Sequence, residues 1–160
     1  METNDSDFLK LAVGQAEKSV QQGGFPAGAV IVKDGKILAA GISIGAALFD
    51  PSAHAETSSI RAACKLLQSS NLAGSTLYCS MEPCLMCFSC ANWANITRIV
   101  YACKRTAEMI SKMYYEGNTN LSQVNADNNK RIDIIYLPDF EEDITDLIKN
   151  WEANLNLATK

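Results

Sequence analysis

Asp50-Pro51-Ser52-Ala53-His54-Ala55-Glu56 and, further along, Met81-Glu82-Pro83-Cys84-Leu85-Met86-Cys87 decide how this chain is read. In both, turn chemistry runs into an apolar segment, so each predicts a loop that opens a helix. Asp50-Pro51-Ser52 leads into a helix from about residue 53 to 67, and Pro83 opens one from about 84 to 94. His54 and Glu56 then share one first turn, where backbone N–H groups are unpaired and the helix dipole is positive. Cys84 and Cys87, at i and i+3, share one face of the other helix.

Outward from these helices the pattern is regular. Phe8, Leu11, Ala12, Gln15, Ala16 and Ser19 recur at helical spacing and Gly23-Gly24 closes the run, which predicts an amphipathic helix over 7–22. Lys33-Asp34-Gly35-Lys36 is a hairpin turn between strands at 27–32 and 37–42. The small, irregular stretch 41–51 is a loop suited to lining a pocket. Strands follow at 76–80 and 99–102, then a helix over 106–115 and an Asn-rich polar loop over 117–130. A last strand at 131–137 precedes a final helix over 139–155, acidic at its start as the dipole prefers. Hairpin strands first and alternating strands and helices afterwards predict an α/β fold. It is a three-layer α/β/α arrangement on a five-stranded mixed sheet, in one domain over 1–160.

Composition narrows the function classes. With 160 residues the chain is long enough to bury a core without metal or disulfides to support it, so a metal would serve chemistry. A formal net charge of -4 and a pI near 5.0 disfavour a polyphosphate partner. Residues 1–7 carry no secretion signal and no stretch reaches the length of a membrane span, so the expectation is a cytoplasmic protein without membrane attachment. The six cysteines then read as thiols or metal ligands rather than a disulfide framework. Cys64, Cys79 and Cys103 are expected to be ordinary buried thiols.

One histidine and two cysteines make a ligand set for zinc, which in hydrolytic sites takes three protein ligands and leaves a position for water. Glu56, two residues after His54, is placed to carry protons without ligating. His54 is the only histidine of the chain, so no serine triad or two-histidine dyad competes for it. Two other arrangements use the same residues. A structural zinc site would recruit Cys79 or Cys90, the latter expected on the same helix face as Cys87, but it leaves Glu56 without a role. An iron–sulfur cluster lacks a fourth cysteine at a suitable short spacing.

His54-Ala55-Glu56 with Pro83-Cys84-x-x-Cys87 resembles the zinc-dependent nucleobase and nucleoside deaminases of the cytidine deaminase superfamily. Phe25-Pro26-Ala27-Gly28-Ala29-Val30, Asp50 to Glu56 and Met81 to Cys84 look like that family's blocks, so the similarity covers most of the chain. Trp93 and the run 98–101 look most like bacterial-type guanine deaminases, with tRNA adenosine deaminases close behind. The resemblance implies one zinc per chain on His54, Cys84 and Cys87, with Glu56 shuttling protons. It also implies a small-molecule substrate, a homodimer or larger assembly, and a pocket partly closed by the C-terminal segment or a neighbouring chain. Ala27, Ser43, Ala55, Trp93 and Tyr115 are the implied substrate contacts.

Three of these positions depart from the family's pattern. Ser43 stands where an asparagine is usual, and a hydroxyl does not offer an amide's paired donor and acceptor. Ala27 replaces a bulky aromatic, and Tyr115 stands at the place of a pocket aspartate, with Tyr114 and Glu116 as neighbours. The leading expectation is hydrolytic deamination of a small amino-substituted heterocycle, a free base such as guanine. The alternatives are tRNA adenosine deamination and a non-catalytic zinc-stabilised binding module. Against the first stands 139–146, with five acidic residues and no Lys or Arg; Lys104-Arg105 and Lys130-Arg131, the only adjacent basic pairs, read as solvated surface.

Overall fold

A computed structural model describes residues 4–158. The chain opens with helix α1 (Asp5–Gln21), in which Asn4 accepts from the Asp7 N–H and Asp7 returns the bond to Asn4 N–H. Strands β1 (Phe25–Lys33) and β2 (Lys36–Ser43) form the expected hairpin. Asp34 and Gly35 both have positive φ, at 50° and 71°, as a two-residue turn of the favoured twist requires. A helical turn α2 (Gly45–Leu48) lies in the stretch expected as loop, followed by α3 (Ala55–Leu67) and β3 (Ser75–Met81). Then come α4 (Leu85–Trp93), β4 (Arg98–Cys103), α5 (Ala107–Ser111), α6 (Leu121–Asp127), β5 (Asp133–Tyr136) and, after a 3₁₀ turn, α7 (Glu141–Ala158).

The strands form one mixed sheet in the order β2-β1-β3-β4-β5. β1 is antiparallel to both β2 and β3, whereas β3, β4 and β5 run parallel. Alternation along the central strands shows why both faces must be covered. Ala29 and Ile31, Leu77 and Cys79, and Ile99 and Tyr101 pack into one cluster with Ile60 and Ala63 of α3 and Phe88 and Ala91 of α4. Val30 and Val32, Tyr78, and Val100 and Ala102 pack on the other face with Phe8, Leu9 and Ala12 of α1. A third cluster joins Val13 and Ala16 of α1 to Ile144 and Ile148 of α7, and extends to Met81, Cys84, Cys87 and Cys103. The far ends of β3 and β4 and their cysteines therefore share one packed unit with α1 and α7.

Two expected boundaries moved for local reasons. The polar stretch 117–130 contains α6, because Asn120, a loop signal by composition, caps it by accepting from the Gln123 N–H at 3.2 Å, and Leu121 anchors it in the core. The helix expected over 106–115 stops at Ser111. Met113 adopts a left-handed conformation at φ 61°, so Tyr114 and Tyr115 leave the helix and turn inward. The α3 helix approaches β2 closely enough that a Cβ at Gly41 would overlap the Ala55 carbonyl oxygen and lie 2.7 Å from the Ser59 nitrogen.

Candidate active site

His54 and Cys84 are both N-cap residues, one position ahead of the helical first turns in which they were expected. Their backbones are extended, at φ -76°, ψ 166° and φ -71°, ψ 168°, while their carbonyls accept the first helical bonds, from Ser58 and Phe88 at 2.9 Å each. N-cap positions usually carry Ser, Asp or Asn because the side chain must satisfy orphan N–H groups. At α4 Glu116 takes up that work by accepting from the Leu85 N–H, and at α3 Thr57 Oγ1 accepts from the N–H of His54 itself, at 3.1 Å. The two N-cap side chains face each other.

His54 Nδ1 lies 3.6 Å from Cys84 Sγ and 3.6 Å from Cys87 Sγ. All three donor atoms lie within 4.8 Å of one another, the only such group among the described residues. The donor set suits zinc: nitrogen and sulfur ligands at the usual zinc distances, tetrahedrally disposed, stand about 3.6 Å apart. Cys90 does not join them. It packs half-buried against the α3–α4 side of the core, while Cys84 and Cys87 face the α1–α7 side, which removes the Cys₃His arrangement. Cys79 and Cys103 are buried as expected, and Cys64 is half-buried.

Electrostatics in the cluster follow from proximity. A hydrogen bond from the Cys87 thiol holds the Cys84 thiol well below its ordinary value, helped by His54, and Cys87 correspondingly keeps its proton. The hydrogen bond with Cys84 raises His54. Glu56 is 6% exposed with Oε2 3.5 Å from Cys87 Sγ, and burial, followed by the Cys84 charge, pushes its carboxyl up to about 7.

A cavity of about 700 Å³ opens over this cluster. His54, Glu56 and Cys84 line it together with Ala27, Ser43 and Tyr115, three of the positions expected at the substrate. Ala55 is fully buried at the first helical position and does not line the cavity. Trp93 ends α4 with 83% of its surface in water and is likewise absent from the lining, because the helix carries it away from Cys84. The Tyr115 hydroxyl donates to the Glu82 carbonyl at 2.8 Å, so the ring rather than the hydroxyl is left to face a ligand.

Arg105 is not the solvated residue that its basic neighbour Lys104 suggested. Its side chain is 5% exposed, pairs with Glu82 at 3.0 Å, donates to the Gly117 and Thr119 carbonyls, and lies 4.9 Å from the Tyr115 ring centre. It ties the irregular segment 115–119 to the end of β3. Phe25, Met86, Met113, Tyr114 and Glu116 also line the cavity. The sequence carried no periodic signal for them, since most stand outside the elements whose patterning is legible.

Residues 2–103 match the family model described as the cytidine and deoxycytidylate deaminase zinc-binding region. The guanine deaminase of Bacillus subtilis (strain 168) is 36% identical over 158 residues, which cover 98% of this chain and 97% of that protein. A tRNA-specific adenosine deaminase of Aquifex aeolicus (strain VF5) is 37% identical over 95 residues, or 59% of this chain and 63% of that protein. The solved structure of the Bacillus subtilis guanine deaminase superposes with a TM-score of 0.67 at 34% identity, over 94% of this chain and 95% of that one.

Proposed function

Because the chain belongs to the family of the cytidine and deoxycytidylate deaminase zinc-binding region, hydrolases of C–N bonds in cyclic amidines, we propose that it deaminates a free purine base such as guanine. The carrying observation is the cavity itself. Glu56, His54 and Cys84 open into a space walled by Phe25, Tyr114, Tyr115 and methionines, and the lining includes three glutamates and no Lys or Arg. Such walls suit a flat, uncharged heterocycle and bring no cationic side chain to a phosphate. The Bacillus subtilis relative that aligns along nearly the whole chain is a guanine deaminase, which supports the same choice of substrate.

Zinc held by His54, Cys84 and Cys87 would supply Lewis acidity, which makes water a nucleophile near neutral pH. Glu56 takes the proton that water loses on attacking the amine-bearing carbon. It delivers that proton to the adjacent ring nitrogen, then takes the second proton from the hydroxyl now on the attacked carbon and passes it to the departing amine, so that water and the C–NH₂ group become C=O and ammonia. Ser43 presents a single hydroxyl to the ring's polar edge, and the Tyr115 ring, fixed by Arg105 and Glu82, presents an aromatic face. The reading includes a place in purine metabolism in the cytoplasm and self-association as a homodimer. Large apolar side chains left in water, Trp93 at 83% and Phe49 at 96%, favour the last point.

Deamination of tRNA is the second reading, supported by the Aquifex aeolicus relative over 59% of the chain. Weighing against it, the first turn of α7 carries Glu141, Glu142 and Asp143, and its last turn carries no basic residue. Ammonia release from a panel of guanine, cytosine, adenine, pterins, triazines and the corresponding nucleosides tests the proposal. Guanine is expected to react. Salt-sensitive binding and deamination of tRNA without release from free bases would favour the second reading, and no ammonia from any substrate would favour a binding module.

A further inference from the structure

The last helix reaches the cavity only through other residues. Among the described residues none of α7 lines it, yet Trp151 packs edge-on against two side chains that do. Its ring centre lies 5.2 Å from Phe25 at 79° and 5.8 Å from Tyr114 at 67°, and Phe25 and Tyr114 meet each other at 5.1 Å and 66°. The next residue closes the arrangement. Glu152 accepts from the Tyr114 hydroxyl at 2.6 Å and from Lys112 Nζ at 2.9 Å, and Lys112 is also paired with Glu108 of α5. Tyr114 itself stands on an irregular segment just after left-handed Met113, beyond a helix of five residues. Its N–H donates to the Met109 carbonyl at 2.9 Å, so local structure holds the backbone, while the ring takes its ring contacts and hydroxyl bond from Phe25 and α7.

We infer that Trp151 and Glu152 are positioning residues that hold Phe25 and Tyr114 as the aromatic wall on which the heterocycle rests. The inference builds on the deaminase reading of the cavity. T-shaped contacts set the ring planes as well as their separation, and the Glu152–Tyr114 bond fixes the rotation about the segment. Neither residue touches the metal ligands or Glu56, so their contribution lies in ground-state binding and appears in KM rather than in kcat.

The test compares Trp151→Ala, Trp151→Phe and Glu152→Gln with the unmodified chain, by steady-state kinetics on the base that releases ammonia and by hydrogen–deuterium exchange over 112–116. Trp151→Ala is expected to raise KM by about threefold to tenfold, the loss of one or two aromatic contacts, with kcat within about twofold. Trp151→Phe should recover most of the KM, and exchange over 112–116 should rise in Trp151→Ala and Glu152→Gln while β3 stays protected. An unchanged KM, a loss confined to kcat, or unchanged exchange over 112–116 overturns the inference. Absence of ammonia release from the unmodified chain would count against the deaminase reading, and exchange over 112–116 would then decide on the wall by itself.

Discussion

His54 and Cys84 stand at the same position of two different helices, each the N-cap, with Nδ1 and Sγ 3.6 Å apart. Two helix N-termini converge on one point, where their dipoles favour a thiolate. The cluster is therefore expected to take up zinc with release of the remaining thiol proton, which elemental analysis and proton release on titration measure together. Cys84→Ser and His54→Ala should each lower the zinc content well below one per chain. Full occupancy in either variant would show that the ion sits elsewhere.

Glu56 lies beside the cluster but outside the three-ligand group. Glu56→Gln keeps the shape and removes the proton carrier, so zinc content should stay near one per chain while turnover falls by about 10²–10⁴-fold. Ammonia release near the unmodified rate, with zinc still bound, would remove Glu56 from the mechanism. A parallel loss of zinc would instead make it part of the ion's support.

Ordering at the molecule's far side gives a pH-dependent prediction. Asp5, at the start of α1, accepts from Arg98 on β4 and from Tyr78 on β3, and the Arg98 hydrogen bond chiefly holds its carboxyl below the ordinary range. A depressed folded pKa means that the unfolded chain protonates first as pH falls. The contribution is complete above the unfolded value of about 3.9 and fades as pH drops through the folded value. Asp5→Asn should therefore be less stable than the unmodified chain at pH 7, with the gap in urea midpoint closing below about pH 4. The ion pair is part-exposed, so added salt should narrow the gap too. A gap independent of pH would place the effect in helix capping or packing.

Much of this arrangement was legible in the residues themselves. Helical spacing in 8–19, the Asp34-Gly35 turn and the two helix openings at His54 and Cys84 are local signals, and local signals fix local structure. The sheet's parallel half followed from alternation of strands and helices. What sequence did not disclose depends on contacts distant along the chain. Asn120 looks like loop until its cap to Gln123 forms, Trp93 looks like a cavity residue until the direction of α4 is known, and Arg105 looks like surface until Glu82 is brought beside it. The cavity wall shows the same limit, since Phe25, Tyr114 and Trp151 are 89 and 37 residues apart in succession and meet only when α7 closes on β1.

The Arg105–Glu82 pair allows the strongest stability prediction. Arg105 is almost wholly buried and satisfies one carboxylate and two backbone carbonyls, from Gly117 and Thr119. Removing a partner of a buried pair leaves the other charge without compensation, which typically costs about 3–5 kcal/mol. Arg105→Ala should lose stability towards the lower end of that range in urea unfolding, because Glu82 at the cavity's edge loses its counter-charge but keeps the bond from the backbone N–H of residue 105, 2.9 Å in the unmodified chain. Arg105→Lys should recover only part, because an ammonium cannot span the carboxylate and both carbonyls from one planar fork. The segment 115–119 also loses its tether, so Tyr115 should move, and KM for the base should rise even where the variant stays folded. A loss below about 1 kcal/mol, the range of an exposed pair, would mean that water reaches Glu82 in solution and that Tyr115 is held from elsewhere.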